Sequence, residues 1–294
     1  MGNQISGVVE SFAHDSIYKP PTVNYLRSMC KFVRTKPGDY IAMRLYSPDA
    51  DVEKRFRACE IVASPYDLLL LSHGNGTDIG LMHRWCDHMR TALQIDVLVY
   101  DYPEYGHSSG GKASESRLQA TIEAVFESCM EDAWDPQRTF LVGHSLGSVP
   151  TVYLASLPTC DAVGVILLAP LASGSRVFLQ NSRVCREYMP TWMHKQLDKV
   201  LFDNTDRVAA LRCPVAIVHG TLDVIVPVEH TECLKKTIPQ RCRYPTLFLK
   251  TGHNELVDAG GRDLIVITEY VRKFRSSCLA AGVGCLPPQV DLLS

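Results

Sequence analysis

The chain has 294 residues, 46% hydrophobic and 21% charged, with 30 basic against 32 acidic side chains and a formal charge of −2. That balance shows neither the high net charge of a disordered chain nor the basic footprint of a nucleic-acid binder. The longest uncharged apolar stretch, residues 162–172, falls well short of the ~20 residues a spanning helix needs, which excludes a polytopic membrane protein.

The N-terminus reads Met-Gly-Asn-Gln-Ile-Ser, which fits the pattern for myristoylation of Gly2 with Ser6 at the expected place. Behind it Ile5, Val8, Val9 and Phe12 share one helical face. Glu10 and Asp15 interrupt this start and no apolar h-region precedes them, so no signal peptide is expected. One myristoyl chain holds a membrane only marginally, so a second signal is needed. Candidates are the basic residues Lys19, Arg27, Lys31, Arg34 and Lys36, or acylation of Cys30. The 11 cysteines include no C-x-x-C pair, which suits a reducing compartment. The expectation is a peripheral, lipid-anchored protein on the cytosolic face of a membrane, with residues 1–37 as an N-terminal arm.

Strand-like runs follow at 40–46, 61–64, 67–72, 96–102, 139–143, 162–168, 215–219 and 245–249. Helical patterns lie near 78–94, 114–131, 146–157, 228–237 and 262–275. The first runs succeed one another without a helix and predict an opening antiparallel hairpin. From the third run the rhythm is β-α-β-α, which predicts a mostly parallel eight-stranded sheet covered by helices on both faces. Residues 172–212 are too long for an ordinary αβ connection. Trp192, Met193, Leu197, Val200 and Leu201 recur there at helical spacing, either as an extra core helix or as a cap over an apolar site. The domain is thus expected over 38–276, with a C-terminal tail at 277–294 whose Cys278 and Cys285 are further candidates for acylation.

The nucleophile-elbow pattern G-x-S-x-G occurs twice, around Ser108 and around Ser145. It carries chemistry only where a strand, a sharp turn and a helix succeed one another. Ser145 has that setting: residues 139–142 read as a buried strand, 146–157 as a helix, and Gly143 and Gly147 are the small neighbours the turn requires. Ser108 sits in a glycine-rich loop with no helix directly behind it. A serine hydroxyl needs an imidazole to take its proton, and the imidazole needs an acid to fix its tautomer. In this arrangement the chain order is Ser, then acid, then His, each after a strand. Asp223 follows the run at 215–219, and His253 follows the run at 245–249. The other downstream histidines fit less well: His194 lies in the insertion, His219 precedes the acid, and His230 lies within a helical pattern. Donors for a tetrahedral oxyanion are expected from the backbone N–H of Leu146 and, in the loop Ser72-His73-Gly74-Asn75-Gly76, from that of Asn75. A serine rather than an aspartate at the elbow argues against dehalogenases and epoxide hydrolases. No H-E-x-x-H or P-loop pattern is present, so neither a metal nor a nucleotide cofactor is expected.

With these residues the chain resembles the α/β-hydrolase fold serine hydrolases, and among them the α/β-hydrolase domain-containing protein 17 group, the membrane-bound protein depalmitoylases. The matching stretches are Ser72-His73-Gly74-Asn75-Gly76-Thr77-Asp78-Ile79-Gly80, Tyr100-Asp101-Tyr102 through Tyr105-Gly106, Gly147-Ser148-Val149-Pro150-Thr151-Val152, and Pro170-Leu171-Ala172-Ser173-Gly174-Ser175-Arg176-Val177. The resemblance implies thioester hydrolysis of S-acylated proteins. Three departures stand out. Glu104 occupies a position where the family's loop usually carries glycine, and Gly76 replaces a usual alanine. The family's N-terminal cysteine cluster is missing, and Gly2 stands where an anchor is needed. A carboxylesterase or monoacylglycerol-type lipase using the same triad is the alternative reading, and a non-catalytic scaffold is a third.

Overall fold

The computed structural model describes residues 14–15, 17–181 and 201–281. Eight strands form one sheet: β1 (Lys31–Arg34), β2 (Tyr40–Tyr46), β3 (Leu68–Ser72), β4 (Asp96–Tyr100), β5 (Thr139–His144), β6 (Gly164–Leu168), β7 (Val215–Gly220) and β8 (Leu247–Leu249). Their order is β1-β2-β4-β3-β5-β6-β7-β8, antiparallel for the first two pairs and parallel from β4 to β8.

The uninterrupted apolar runs make sense once the sheet is covered on both sides, because a strand points successive side chains to opposite faces. Leu68 and Leu70 of β3 join one cluster, with Leu98 and Tyr100 of β4 and Val165 and Leu167 of β6. Leu69 and Leu71 join the other, with Val97, Val99, Ile166 and Leu168. The first cluster is closed by α1 (Ala50–Arg57), α3 (Glu115–Glu131) and α4 (Ser148–Ser156) through Phe56, Ile122 and Val152. The second is closed by α2 (His83–Leu93) and a long C-terminal helix, Asp263–Ala281, through Trp85, Met89, Ile267 and Phe274. Side-chain caps start two of these helices: Asp49 accepts from Asp51 N before α1, and Ser114 accepts from Arg117 N before α3.

Several expectations change. Residues 61–64 form no strand, and Ala63 has a left-handed φ of 45° with its N–H bonded to the Asp132 carbonyl. The opening hairpin is instead β1 with β2, so the sheet begins at Lys31, inside the segment expected as an arm. Tyr18, still earlier, is 3% exposed and packs in the core. Two of the membrane candidates within this stretch, Lys31 and Cys30, are engaged within the fold. Lys31 Nζ pairs with Asp132 Oδ2 at 2.5 Å, and the Cys30 thiol is buried and pushed up to about 12 by that burial. At the other end the final helix runs through Cys278, which is fully buried. Gly2, the face formed by Ile5 to Phe12, Trp192 to Val200 and Cys285 lie outside the described residues. Among the described residues no helix is long and apolar enough to cross a membrane.

Candidate active site

Parallel strands collect the loops after their carboxyl ends along one edge of the sheet, and that edge holds the candidate residues. β5 ends at His144 and the chain turns at once into a short 3₁₀ turn, Ser145–Gly147, and then α4. Ser145 is forced into the left-handed region with φ 51°. The turn is possible only because its flanks lack side chains. A Cβ at Gly143 would lie 2.7 Å from the Gly147 carbonyl oxygen, and one at Gly147 would collide with the Ser72 carbonyl.

The fold brings together three of the expected side chains. His253 Nε2 lies 2.9 Å from Ser145 Oγ, and His253 Nδ1 lies 2.6 Å from Asp223 Oδ2. All three are buried, at 6–7% exposure, yet short of full enclosure. Asp223 is fixed from both sides, because its Oδ1 accepts the N–H groups of Ile225 (2.9 Å) and Val226 (2.8 Å). Burial alone would push this carboxyl up. Hydrogen bonds from His219 and His253 outweigh it and hold the group well below the usual carboxylate range.

Ser108, the second elbow-like serine, has its hydroxyl engaged elsewhere. Its Oγ accepts from Ala42 N and donates to the Asp101 carbonyl, both at 2.9 Å, so it pins β2 to the loop after β4. The loop expected to supply an oxyanion donor lies against the elbow: a Cβ on Gly74 would sit 3.5 Å from Ser145 Cβ.

Three residues join the site that the sequence reading did not assign, and a fourth, Glu104, shapes the loop after β4. His219 lies against the acid, with Nε2 3.5 Å from Asp223 Oδ2, while its ring bonds the Val226 carbonyl at 2.8 Å and Thr231 Oγ1 at 2.6 Å. Tyr102 donates to the His73 carbonyl at 2.6 Å and so ties down the expected donor loop. His144 stacks on His253 with ring centroids 5.1 Å apart. Glu104, the departure from the family's glycine, has φ 71°, which explains why glycine is usual there. Its carboxylate accepts from Ala113 N at 2.6 Å and meets His14 Nε2 at 2.7 Å, contacts that offset a backbone cost of about 1 kcal/mol. His144 had a sequence signal in its place beside Ser145, and His219 in its place just before the acid. His219 reaches Asp223 from four residues away, and Tyr102 reaches His73 across a chain crossing.

Two of the buried histidines make a pH prediction. Burial, with His253 alongside, pushes His144 down to about 3, and burial does the same to His230, whose Nδ1 accepts from Ala172 N. An unfolded histidine titrates near 6.5, so the unfolded chain takes up these protons first. Their contribution to stability is therefore complete above about pH 6.5 and falls as pH drops toward the folded values. The loss is at most about 1.4 kcal/mol per pH unit for each histidine. The depressed Asp223 carboxyl adds a further loss below about pH 4. Urea midpoints should decline between pH 7 and 5. A flat profile over that range would show that these rings exchange protons in the folded protein.

Comparison with known proteins places this geometry in context. The family model described as serine aminopeptidase, S33 matches residues 63–268. A Xenopus laevis protein named alpha/beta hydrolase domain-containing protein 17C is 35% identical over 189 residues, covering 64% of this chain and 56% of that protein. A second Xenopus laevis protein, 17B of the same series, is 32% identical over 207 residues, covering 69% of this chain and 65% of that protein. The chain thus spans between about half and two thirds of the length of these relatives. Among solved structures, the esterase RhEst1 from Rhodococcus sp. ECU1013 is 18% identical with a TM-score of 0.59 over 85% of this chain and 99% of that chain, a likeness of fold.

Proposed function

Because the chain belongs to the serine aminopeptidase, S33 family of hydrolases and has the α/β-hydrolase fold, we propose that it is a serine hydrolase acting on acyl thioesters of S-acylated proteins. The observation that carries the reading is the single imidazole of His253 bonded on one side to Ser145 and on the other to Asp223. In the proposed reaction Asp223 holds the Nδ1–H tautomer, leaving Nε2 to take the Ser145 proton as Oγ adds to the acyl carbonyl carbon. The N–H groups of Asn75 and Leu146 receive the negative oxygen. The carbon–sulfur bond then breaks, and His253 returns its proton to the departing cysteine sulfur. Water, deprotonated by the same imidazole, attacks the acyl-serine, and fatty acid leaves as Ser145 recovers its proton.

The thioester assignment is supported by the likeness to the protein 17 group in stretches that a generic triad does not require, such as residues 147–152 and 170–177. Myristoylation at Gly2, outside the described residues, completes the proposal by bringing the enzyme to the cytosolic face of the membrane where acylated proteins reside. Carboxylester or monoacylglycerol hydrolysis is the competing reading, since the same groups serve both. Purified protein is expected to release palmitate from an S-palmitoylated peptide faster than from monoacylglycerol, with Ser145→Ala as the blank. Faster turnover of the monoacylglycerol would assign the protein to the lipases instead.

A further inference from the structure

Asn75 is exposed, yet its side chain is fully committed. Its Oδ1 accepts from Tyr105 OH at 2.6 Å, from Lys19 N at 2.9 Å and from Gly76 N at 3.1 Å, while its Nδ2 donates to the Ile17 carbonyl at 2.5 Å. The two halves of this clasp also bond each other, because Lys19 N reaches the Tyr105 hydroxyl at 3.1 Å. Each half is anchored independently. Tyr105 is completely buried, and its ring lies beside His73 with centroids 5.6 Å apart. The strand of chain at 17–19 is held by the buried ring of Tyr18 and, one turn earlier, by His14 against Glu104.

A loop that must present an N–H to a developing oxyanion gains most from being immobile before the reaction begins. The segment from His73 to Asn75 is restrained at successive groups. The His73 carbonyl accepts from Tyr102 OH at 2.6 Å, the Gly74 carbonyl accepts from Thr77 Oγ1 at 2.7 Å, and Asn75 is held through its side chain. The last is the only one of these restraints borne by the residue that carries the donor. Resting on the serine-hydrolase reading above, we infer that the Asn75 side chain is a positioning residue: clasped by Tyr105 and by the backbone of Ile17 and Lys19, it holds its own backbone N–H at the oxyanion position. Burial pushes the Tyr105 phenol up, so it stays protonated and donating throughout the neutral range.

The test uses the full chain and a short-chain p-nitrophenyl ester, with Asn75→Ala, Tyr105→Phe and the double variant. Tyr105→Phe removes one oxygen without altering the packed ring, and Asn75→Ala trims an exposed side chain, so both are expected to fold. Each should lower kcat by roughly tenfold to a hundredfold, the scale of an ångström-sized misplacement, with KM changed by less than about twofold. The double variant should be no slower than Asn75→Ala alone, because the phenol then no longer holds Asn75 and keeps only its bond from Lys19 N. Three results overturn the inference: unchanged kcat in Asn75→Ala, a loss confined to KM, or single effects that multiply in the double variant. Turnover undiminished by Ser145→Ala would instead overturn the reading of the site itself, and the clasp with it.

Discussion

Ser145→Ala is expected to abolish fluorophosphonate labelling of the purified protein and to reduce ester turnover by up to about a millionfold, whereas Ser108→Ala keeps both. The magnitude follows from the unity of the assembly: when a nucleophile and its base act together, loss of either removes nearly the whole covalent route. His253 and Asp223 remain, with the N–H groups proposed to receive the oxyanion, so a low hydrolytic background is expected. The contrast with Ser108 is set by hydrogen bonding. The Ser145 hydroxyl meets an imidazole nitrogen at 2.9 Å. The Ser108 hydroxyl is spent on Ala42 N and the Asp101 carbonyl, and its removal costs the order of 1 kcal/mol of stability without touching the reaction. Labelling lost in Ser108→Ala alone would move the site to the glycine-rich loop. Absence of labelling in folded wild-type protein would favour the scaffold reading.

Asp223→Asn is expected to lower kcat by about 10⁴ while leaving the fold intact. The local geometry dictates which way the amide must turn. Oδ1 of Asp223 accepts two backbone N–H groups, from Ile225 and Val226, and an amide nitrogen there would face two donors. The asparagine therefore keeps its oxygen on that side and presents its NH₂ to His253 Nδ1. That nitrogen must then accept, which places the ring proton on Nε2, where it blocks uptake of the Ser145 proton. A folded variant of somewhat lower thermal stability at neutral pH, since the stabilised carboxylate is gone, with labelling slowed in step with turnover, would match this account. A decrease of less than about tenfold would mean that His253 is oriented by something other than Asp223.

Much of the architecture is legible in the chain because it is written in local patterns. Runs such as Leu68 to Leu71 are apolar on consecutive residues, which only a sheet buried on both faces accommodates, and the observed clusters divide those leucines alternately. The elbow is legible for the same reason: Gly143, Ser145 and Gly147 satisfy a steric demand confined to five residues. The order of Ser145, Asp223 and His253 along the chain is also local information, since each follows its own strand. Boundaries were harder where side chains alone do not decide. Residues 61–64 have strand-like composition, but Ile61 is 68% exposed and Ala63 turns left-handed, so the segment pairs with no strand. Residues 31–34, flanked by charges, found a partner in β2 across a short turn.

By itself, then, the sequence determined a doubly covered parallel sheet, a strained serine turn, and an acid and a histidine in the order that a hydrolase of this fold uses. Tertiary structure alone decided which groups meet. It brought Tyr105 and the backbone of Ile17 and Lys19 onto Asn75, and His14 onto Glu104, pairs separated by as many as 90 residues. It also engaged the Ser108 hydroxyl and the Lys31 ammonium in hydrogen bonds and buried the Cys30 thiol. The division has a physical cause. Periodicity and turn sterics act between residues a few positions apart and leave their mark in the text of the chain. A hydrogen bond between distant segments depends on where the whole fold delivers each partner, and no local pattern encodes that position.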